Sequence, residues 1–109
     1  MNQTVISGNL ATDIESRQVN DKTVCKFTVA HNNGDREATF LPVEAWEMNH
    51  LPKYLGKWSK VVIQGNLKQE RWKTKDGANR SRLVLTARQV EFMDGKTKRN
   101  GGRGDDTDF

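Results

Sequence analysis

One stretch, SKVVIQGNLKQERW at residues 59–72, carries the clearest structural information in the chain. Successive side chains of a β-strand point to opposite faces, so residues two positions apart share a face. The odd positions from Val61 to Leu67 are aliphatic apart from Gly65, whereas the even positions from Gln64 to Trp72 are polar, charged or aromatic. This alternation predicts a long strand with one face in a core and a large aromatic ring on the other face.

The preceding run, ATFLPVEAWE at residues 38–47, divides in the same way. Leu41, Val43 and Ala45 share one face, while Phe40 and Trp46 occupy the opposite face with polar residues. Two interpretations stay open for these two aromatics, which either stack on a flat ligand or bury against a second layer or a partner subunit. For Trp72, which lies between two cations, the pattern favours stacking.

Short β-like runs bounded by Gly, Asn or Asp turn residues fill most of the remaining chain. The predicted strands are residues 3–10, 14–19, 23–31, 38–47, 59–72 and 81–93. Between the fourth and fifth runs, apolar residues recur at spacings of three and four, and Pro52 suits a first helical turn, which predicts one short helix within residues 48–57. Tyr54 and Trp58 fit the core side of that helix, and Phe27 fits a core strand face.

Five or six strands with one interposed helix predict an all-β fold. The commonest small barrel of this composition is the five-stranded Greek-key barrel of the oligonucleotide/oligosaccharide-binding type, or OB-fold. An open sheet covered by a helix and a small sandwich are the alternatives. We expect residues 1–93 to form this domain, residues 94–104 to be a flexible Gly-rich basic linker, and residues 105–109 to be an acidic tip.

The charge distribution points to a polyanionic partner. The chain has 18 Lys and Arg against 14 Asp and Glu, and three of the acidic residues lie in the last five positions. The densest basic cluster consists of Lys68, Arg71, Lys73, Lys75, Arg80 and Arg82. It flanks a predicted turn at Asp76-Gly77 and therefore forms a basic hairpin. Nucleic acid is the usual partner of such a cluster, and a solvated charged face is the alternative.

Other classes of protein fit the sequence poorly. Cys25 is the only cysteine, and the two histidines and the scattered carboxylates match neither a metal site nor a catalytic arrangement. We therefore expect no enzyme activity, metal or cofactor. No apolar run approaches the roughly 20 residues that span a bilayer, and the N-terminus lacks the order of a signal peptide. These features predict a cytoplasmic protein with no membrane association.

Exposed aromatics beside cations are suited to single-stranded nucleic acid. Every base presents a π-face, and each stacked base contributes about 1–3 kcal/mol. Cations neutralise the phosphates, and neither contact selects a sequence. The residue pattern therefore predicts a sequence-nonspecific binder of single strands, although it does not separate DNA from RNA, because that distinction depends on the 2′-hydroxyl.

The motifs and their order resemble the bacterial-type single-stranded DNA-binding protein family, SSB. The resemblance rests on TVISGNLATD at residues 4–13, VCKFTVA at 24–30, ATFLPVEAW at 38–46, and Arg71-Trp72 followed by Asp76-Gly77. It rests also on LGKWSKVVIQGNL at residues 55–67, which is similar to the family pattern Leu-x-Lys-Gly-x-x-Val-x-Val-x-Gly-x-Leu.

This resemblance implies an OB-fold homotetramer, with a dimer as the alternative, that coats single-stranded DNA in replication, recombination and repair. It implies base stacking on Phe40, Trp46 and Trp72, phosphate contacts from the six cations of the basic cluster, and a nucleoid-associated location. It also implies docking of partner proteins by Asp105, Asp106, Asp108 and Phe109, although Asp108 stands where the family commonly has Pro. The candidates for a subunit surface are Val5, Ile6, Val84 and Val90.

A second resemblance leads to a different class of function. KFTVAH at residues 26–31 and VLTARQVEFMDG at residues 84–95 are similar to primosomal replication protein N, a dimeric relative with the same barrel. It implies an adaptor in replication restart, whose exposed aromatics form a subunit or partner surface. The acidic, Phe-terminated tip favours the first family.

Overall fold

The computed structural model describes residues 1–34 and 37–93. Its elements are β1 (Thr4–Leu10), β2 (Glu15–Val19), β3 (Lys22–Asn32), β4 (Ala38–Trp46), α1 (Leu51–Tyr54), β5 (Lys60–Lys73) and β6 (Asn79–Phe92). Each of the six predicted strands is present, with ends that differ from the prediction by at most two residues. The predicted linker and acidic tip, residues 94–104 and 105–109, lie outside the described residues.

The strands close into a barrel. β1 pairs with β5, β5 with β6, β6 with β4, and β4 with β3, all antiparallel except the parallel β4–β6 pair. The ring closes where β3 meets the end of β1, at Asn9↔Ala30 and Leu10↔Val29. Among the described strands, β2 pairs only with β3. It continues β1 after a bend at residues 11–14, so β1 and β2 are two arms of one bent strand. The predicted five-stranded, all-β OB-type barrel is therefore confirmed.

The predicted strand faces build the core. Val61 and Ile63 of β5 are fully buried, as are Leu10, Val29 and Leu85 from the strands around them. Gly65 allows β5 to approach β6 closely, because a Cβ atom there would lie 2.0 Å from the Thr86 carbonyl oxygen. Such contact is far inside van der Waals distance, so a side chain at Gly65 would push two barrel strands apart.

A bulge at Arg88 keeps the apolar residues of β6 on the core side. Gly65 pairs with Ala87 but the adjacent Gln64 pairs with Gln89, which leaves Arg88 as an extra residue in β6. An extra residue reverses the alternation of a strand. Ala87, before the bulge, is buried in the core. Because of the bulge Val90, three positions later, also packs against the core.

The helix is shorter than the apolar spacing suggests. It begins at Leu51 and ends at Tyr54, because Leu55 takes an extended backbone with φ −122° and ψ 141°. The prediction that Tyr54 and Trp58 are core residues is wrong, since their side chains are 50% and 69% exposed. The helix ends at Tyr54, so helical spacing does not fix the side to which Trp58 points, and Leu51 and Leu55 take the buried positions. Phe27, the third predicted core aromatic, is buried as expected.

The four valine and isoleucine candidates for a subunit surface differ in exposure. Val84 is fully buried within the chain and is therefore no surface residue, contrary to the prediction. Ile6 and Val90 pack against the core, whereas Val5 is exposed. Within residues 1–34 and 37–93, no helix has the length and apolar character required to cross a membrane.

Candidate nucleic-acid interface

The strand registers direct the three predicted stacking residues to the same side of the barrel. Cross-strand partners share a face, and the pairs Ala30↔Phe40, Glu44↔Thr86 and Trp72↔Arg80 connect β3, β4, β6 and β5 in turn. The residues that alternate with them, such as Val43 and Leu85, lie in the core. The other positions therefore form one continuous outer face. This outer face comprises Phe40, Pro42, Glu44 and Trp46 of β4, Arg80, Arg82 and Thr86 of β6, and Lys68, Glu70 and Trp72 of β5. Val84 has the same register as these residues of β6 but is fully buried.

All three aromatic side chains of the outer face reach solvent. Phe40 is 63% exposed and Trp72 is 46% exposed. Trp46 is half-buried and lines an open pocket of about 510 Å³ with Val19, Lys22 and Glu47, next to the β2–β3 turn. The outer face thus carries flat apolar surface on both β4 and β5.

The basic hairpin is a hydrogen-bonded ribbon. β5 and β6 stay paired as far as Lys73↔Asn79, and the Thr74 N–H donates to the Ala78 carbonyl at 2.9 Å. Gly77 has φ +88°, a left-handed conformation that suits glycine. The Thr74 hydroxyl donates to Asp76, and this bond, together with the Ala78 N–H, lowers the pKa of the Asp76 carboxyl. We call residues 71–81 the hairpin ribbon.

The cations of the hairpin ribbon surround Trp72. One open pocket of about 470 Å³ is lined by Glu70, Arg71, Trp72 and Arg82, and another of about 610 Å³ is lined by Arg71, Trp72, Lys73, Asn79, Arg80 and Ser81. Among the described residues, Lys73, Lys75 and Arg80 make no ion pair, and Arg71 donates a hydrogen bond to the neutral Gln69. Their charges are therefore not neutralised by a carboxylate in this part of the chain.

At the base of the ribbon the predicted phosphate ligands are paired with carboxylates. Lys68 Nζ lies 3.1 Å from Glu44 Oε1 and 4.0 Å from Glu70 Oε2. Arg82 Nε donates to Glu70 Oε1 at 3.0 Å. We call these four residues the ion-pair cluster. Its two cations neutralise its two carboxylates, so this part of the outer face is close to electrically neutral.

The ion-pair cluster lowers the pKa of Glu70. The hydrogen bond that Glu70 accepts from Arg82 is the main reason that this pKa lies below its ordinary value, and the charges of Arg82 and Lys68 act in the same direction. Glu44 is only 5% exposed, and its carboxylate depends on Lys68 for charge compensation. Sequence reasoning missed this role of Glu44, because the contact requires β4 and β5 to flank β6.

A cleft extends the outer face beyond the ion-pair cluster. It has a volume of about 380 Å³ and lies among β2, β3, β4 and β6. Asp13 in the bend after β1, Arg17, Lys26, Pro42 and Arg82 are among its lining residues. Arg17 is paired with Glu15, whereas Lys26 makes no ion pair within the described part of the chain. Lys26 is thus a cation on the outer face that the sequence did not single out.

Comparison with known proteins gives a consistent result. Residues 1–93 match the Single-strand binding protein family. The chain is 32% identical to Single-stranded DNA-binding protein 2 of Chlorobaculum tepidum, over 93% of this chain and 76% of the relative. It is 29% identical to the Single-stranded DNA-binding protein of Treponema pallidum, over 100% of this chain and 66% of the relative. The chain therefore belongs to the single-strand binding protein family.

Proposed function

We propose that the chain binds single-stranded DNA without sequence preference, along the outer face and the hairpin ribbon. One observation carries the proposal: Phe40, Trp46 and Trp72 lie on the outer face, and Trp72 is surrounded by ribbon cations that have no carboxylate partner among the described residues. Family membership and the names of the relatives support the same function. Proteins of this family are not enzymes, and the proposal includes no catalytic step.

The chemistry of the face favours a single strand over a duplex. Stacking requires access to the flat faces of the bases, which a duplex keeps covered by neighbouring base pairs. Exposed rings can therefore take up bases only from an unpaired strand, at about 1–3 kcal/mol for each base. Since every base has a π-face, this contact tolerates any sequence.

The six cations have different parts in this proposal. Arg71, Lys73, Lys75 and Arg80 contact phosphates directly, because none has to leave a carboxylate of the described chain first. Lys68 and Arg82 are secondary contacts, since a phosphate must replace the carboxylate of Glu44 or Glu70 beside them. The outer face thus holds the strand most firmly at the ribbon and more loosely at the ion-pair cluster.

Family membership supports a proposal for the wider role. We propose that the protein is a cytoplasmic homo-oligomer that coats single strands during replication, recombination and repair. We also propose that it recruits partner proteins through Asp105, Asp106, Asp108 and Phe109, which lie outside the described residues. The adaptor function implied by the resemblance to primosomal replication protein N is the competing possibility that an experiment must separate.

A fluorescence titration tests the proposal. Trp46 and Trp72 report on stacking, so we expect poly-dT to quench the intrinsic fluorescence and duplex DNA of equal length to leave it unchanged. Raising the salt concentration should weaken the quenching, because phosphate binding releases counterions. If neither DNA quenches the fluorescence or binds, the outer face is a protein contact surface and the adaptor function is favoured.

A further inference from the structure

Trp58 is an exposed aromatic residue with an unusual backbone. It precedes β5, its side chain is 69% exposed, and its φ of +81° lies in the left-handed region that favours glycine. The family pattern that residues 55–67 resemble has glycine at this position. A bulky residue in such a conformation is strained, and strain of this kind is concentrated at functional sites.

The backbone around Trp58 is held while its ring is left in solvent. The Trp58 N–H donates to the Leu10 carbonyl at 2.8 Å, and the Trp58 carbonyl accepts from Asn9 Nδ2 at 2.9 Å. Lys57 Nζ lies 5.1 Å from the centre of the indole ring. These contacts fix the residue to the end of β1, so its position is set by the barrel. An indole beside a lysine has the same chemistry as Trp72 in the hairpin ribbon.

The segment that carries Trp58 is joined to the cleft that extends the outer face. The Lys57 N–H donates to Asp13 Oδ1 at 2.9 Å, and Asp13 lines that cleft together with Lys26 and Arg82. The residue before Trp58 is thus held against the lining of the cleft. Lys60, two residues further along the chain, adds another exposed cation.

We propose that Trp58 is a further stacking position for single-stranded nucleic acid, at the end of the cleft remote from the hairpin ribbon, with Lys57 and Lys60 as its phosphate contacts. The inference rests on the proposed function and extends the path of the strand. An exposed ring flanked by lysines matches a ligand that alternates flat bases with negative charges. A protein partner and a second copy of this chain are the occupants that the test must exclude.

A single-tryptophan variant provides the direct test. The chain has three tryptophans, so the double substitution Trp46→Phe and Trp72→Phe leaves Trp58 as the only indole and keeps aromatic rings on the outer face. Oligo-dT of about 16 nucleotides, the upper end of the range bound by one OB-fold, should quench Trp58. The quenching should saturate together with binding, followed independently by the anisotropy of a dye-labelled strand.

The affinity of a second variant tests the same stacking contact. Glycine accepts a φ of +81°, so Trp58→Gly should fold and its Tm should not fall below that of the parent chain. Its affinity for the labelled strand should drop roughly 5- to 150-fold, the effect of losing one stacked base. Trp58→Phe, which keeps an aromatic ring at the same position, should recover most of the affinity.

The possible results are distinguishable. If the single-tryptophan variant binds the strand but Trp58 is not quenched, the inference about Trp58 is overturned and the proposed function stands. If the parent chain does not bind the labelled strand at all, the proposed function fails as well. If Trp58 fluorescence changes with protein concentration in the absence of DNA, and DNA adds no quenching, a second copy covers the ring and the inference is overturned.

Discussion

The hairpin ribbon and the ion-pair cluster take their cations from the same two strands, β5 and β6, yet they offer different charges to a ligand. In the ribbon, Lys73, Lys75 and Arg80 have no carboxylate partner among the described residues, whereas at its base Lys68 and Arg82 contact Glu44 and Glu70. The cations look equivalent along the sequence. Their availability to phosphate depends on which strand lies beside them, so counting cations overstates the charge of the face.

The difference has a topological cause. β4 pairs with β6 only near Val43↔Leu85 and Glu44↔Thr86, which brings the Glu44 carboxylate against the base of the hairpin. Further out, β5 and β6 pair with each other as far as Lys73↔Asn79, and no other described strand pairs with them there. The described strands of the barrel therefore bring no acidic residue to the ribbon. Four predictions, in order of decreasing effect, test whether this difference governs binding.

Removing the unpaired charges of the ribbon should have the largest effect. In the triple variant Lys73→Gln, Lys75→Gln, Arg80→Gln, the plot of log affinity against log salt concentration should become less steep by about 2, since each phosphate contact on a single strand contributes about 0.7. At 0.1 M salt this corresponds to a loss of about 100-fold in affinity. Salt-dependent titrations with oligo-dT measure both quantities. A slope that stays unchanged would show that the ribbon does not contact phosphate.

Replacing Trp72 by alanine should weaken binding by about 1–3 kcal/mol while leaving the salt slope unchanged, because the indole stacks on a base and carries no charge. Trp72→Phe is the matched control and should retain most of the affinity. Anisotropy of a labelled strand gives the affinities, and circular dichroism establishes that both variants are folded. Equal affinity of the alanine variant and the parent chain would remove Trp72 from the site.

The parts of this structure that the sequence predicted depend on local alternation. Residues two apart share a strand face, so the core positions of β5 and the exposure of Trp72 could be predicted from the residues alone, whereas the pattern left the exposure of Phe40 open. The ion-pair cluster could not, because the parallel pairing of β4 with β6 joins segments about 40 residues apart in the chain. The spacing of four between Tyr54 and Trp58 predicts a continuing helix with Trp58 on its core side, whereas α1 ends after one turn.

Two arginines on the same face of β6 provide a closer comparison. Arg80 pairs with Trp72 across the ribbon, whereas Arg82 bonds to Glu70 in the ion-pair cluster. Arg80→Gln should reduce the salt slope by about 0.7 and the affinity about 5-fold at 0.1 M salt. Arg82→Gln should reduce the slope by clearly less, because Glu70 already neutralises that arginine. Equal changes in the two variants would mean that carboxylate pairing does not limit phosphate contact.

The smallest effect should come from releasing Arg82. Glu70→Gln removes the carboxylate, so Arg82 becomes available to phosphate as the ribbon cations are, and affinity should rise by at most about 5-fold at 0.1 M salt. The ion pair joins an exposed arginine to a partly exposed glutamate, and a surface pair of this kind contributes only about 0–1 kcal/mol to stability, so this variant should fold normally. Affinity titrations of the parent chain and Glu70→Gln at pH 7 measure the gain.

The pH dependence of that gain distinguishes the ion pair from other effects of the substitution. Because the folded pKa of Glu70 lies below its ordinary value of 4.5, mainly through the bond with Arg82, the ion pair stabilises the fold fully above pH 4.5. Its contribution is lost as the pH falls through the lowered pKa, where Glu70 takes up a proton and becomes neutral like glutamine. The differences between parent and Glu70→Gln, in both affinity and Tm, should therefore vanish as the pH is lowered from 7 through that value. If the differences stayed constant over this range, the carboxylate charge would not be what restrains Arg82, and the contrast between ribbon and cluster would need another cause.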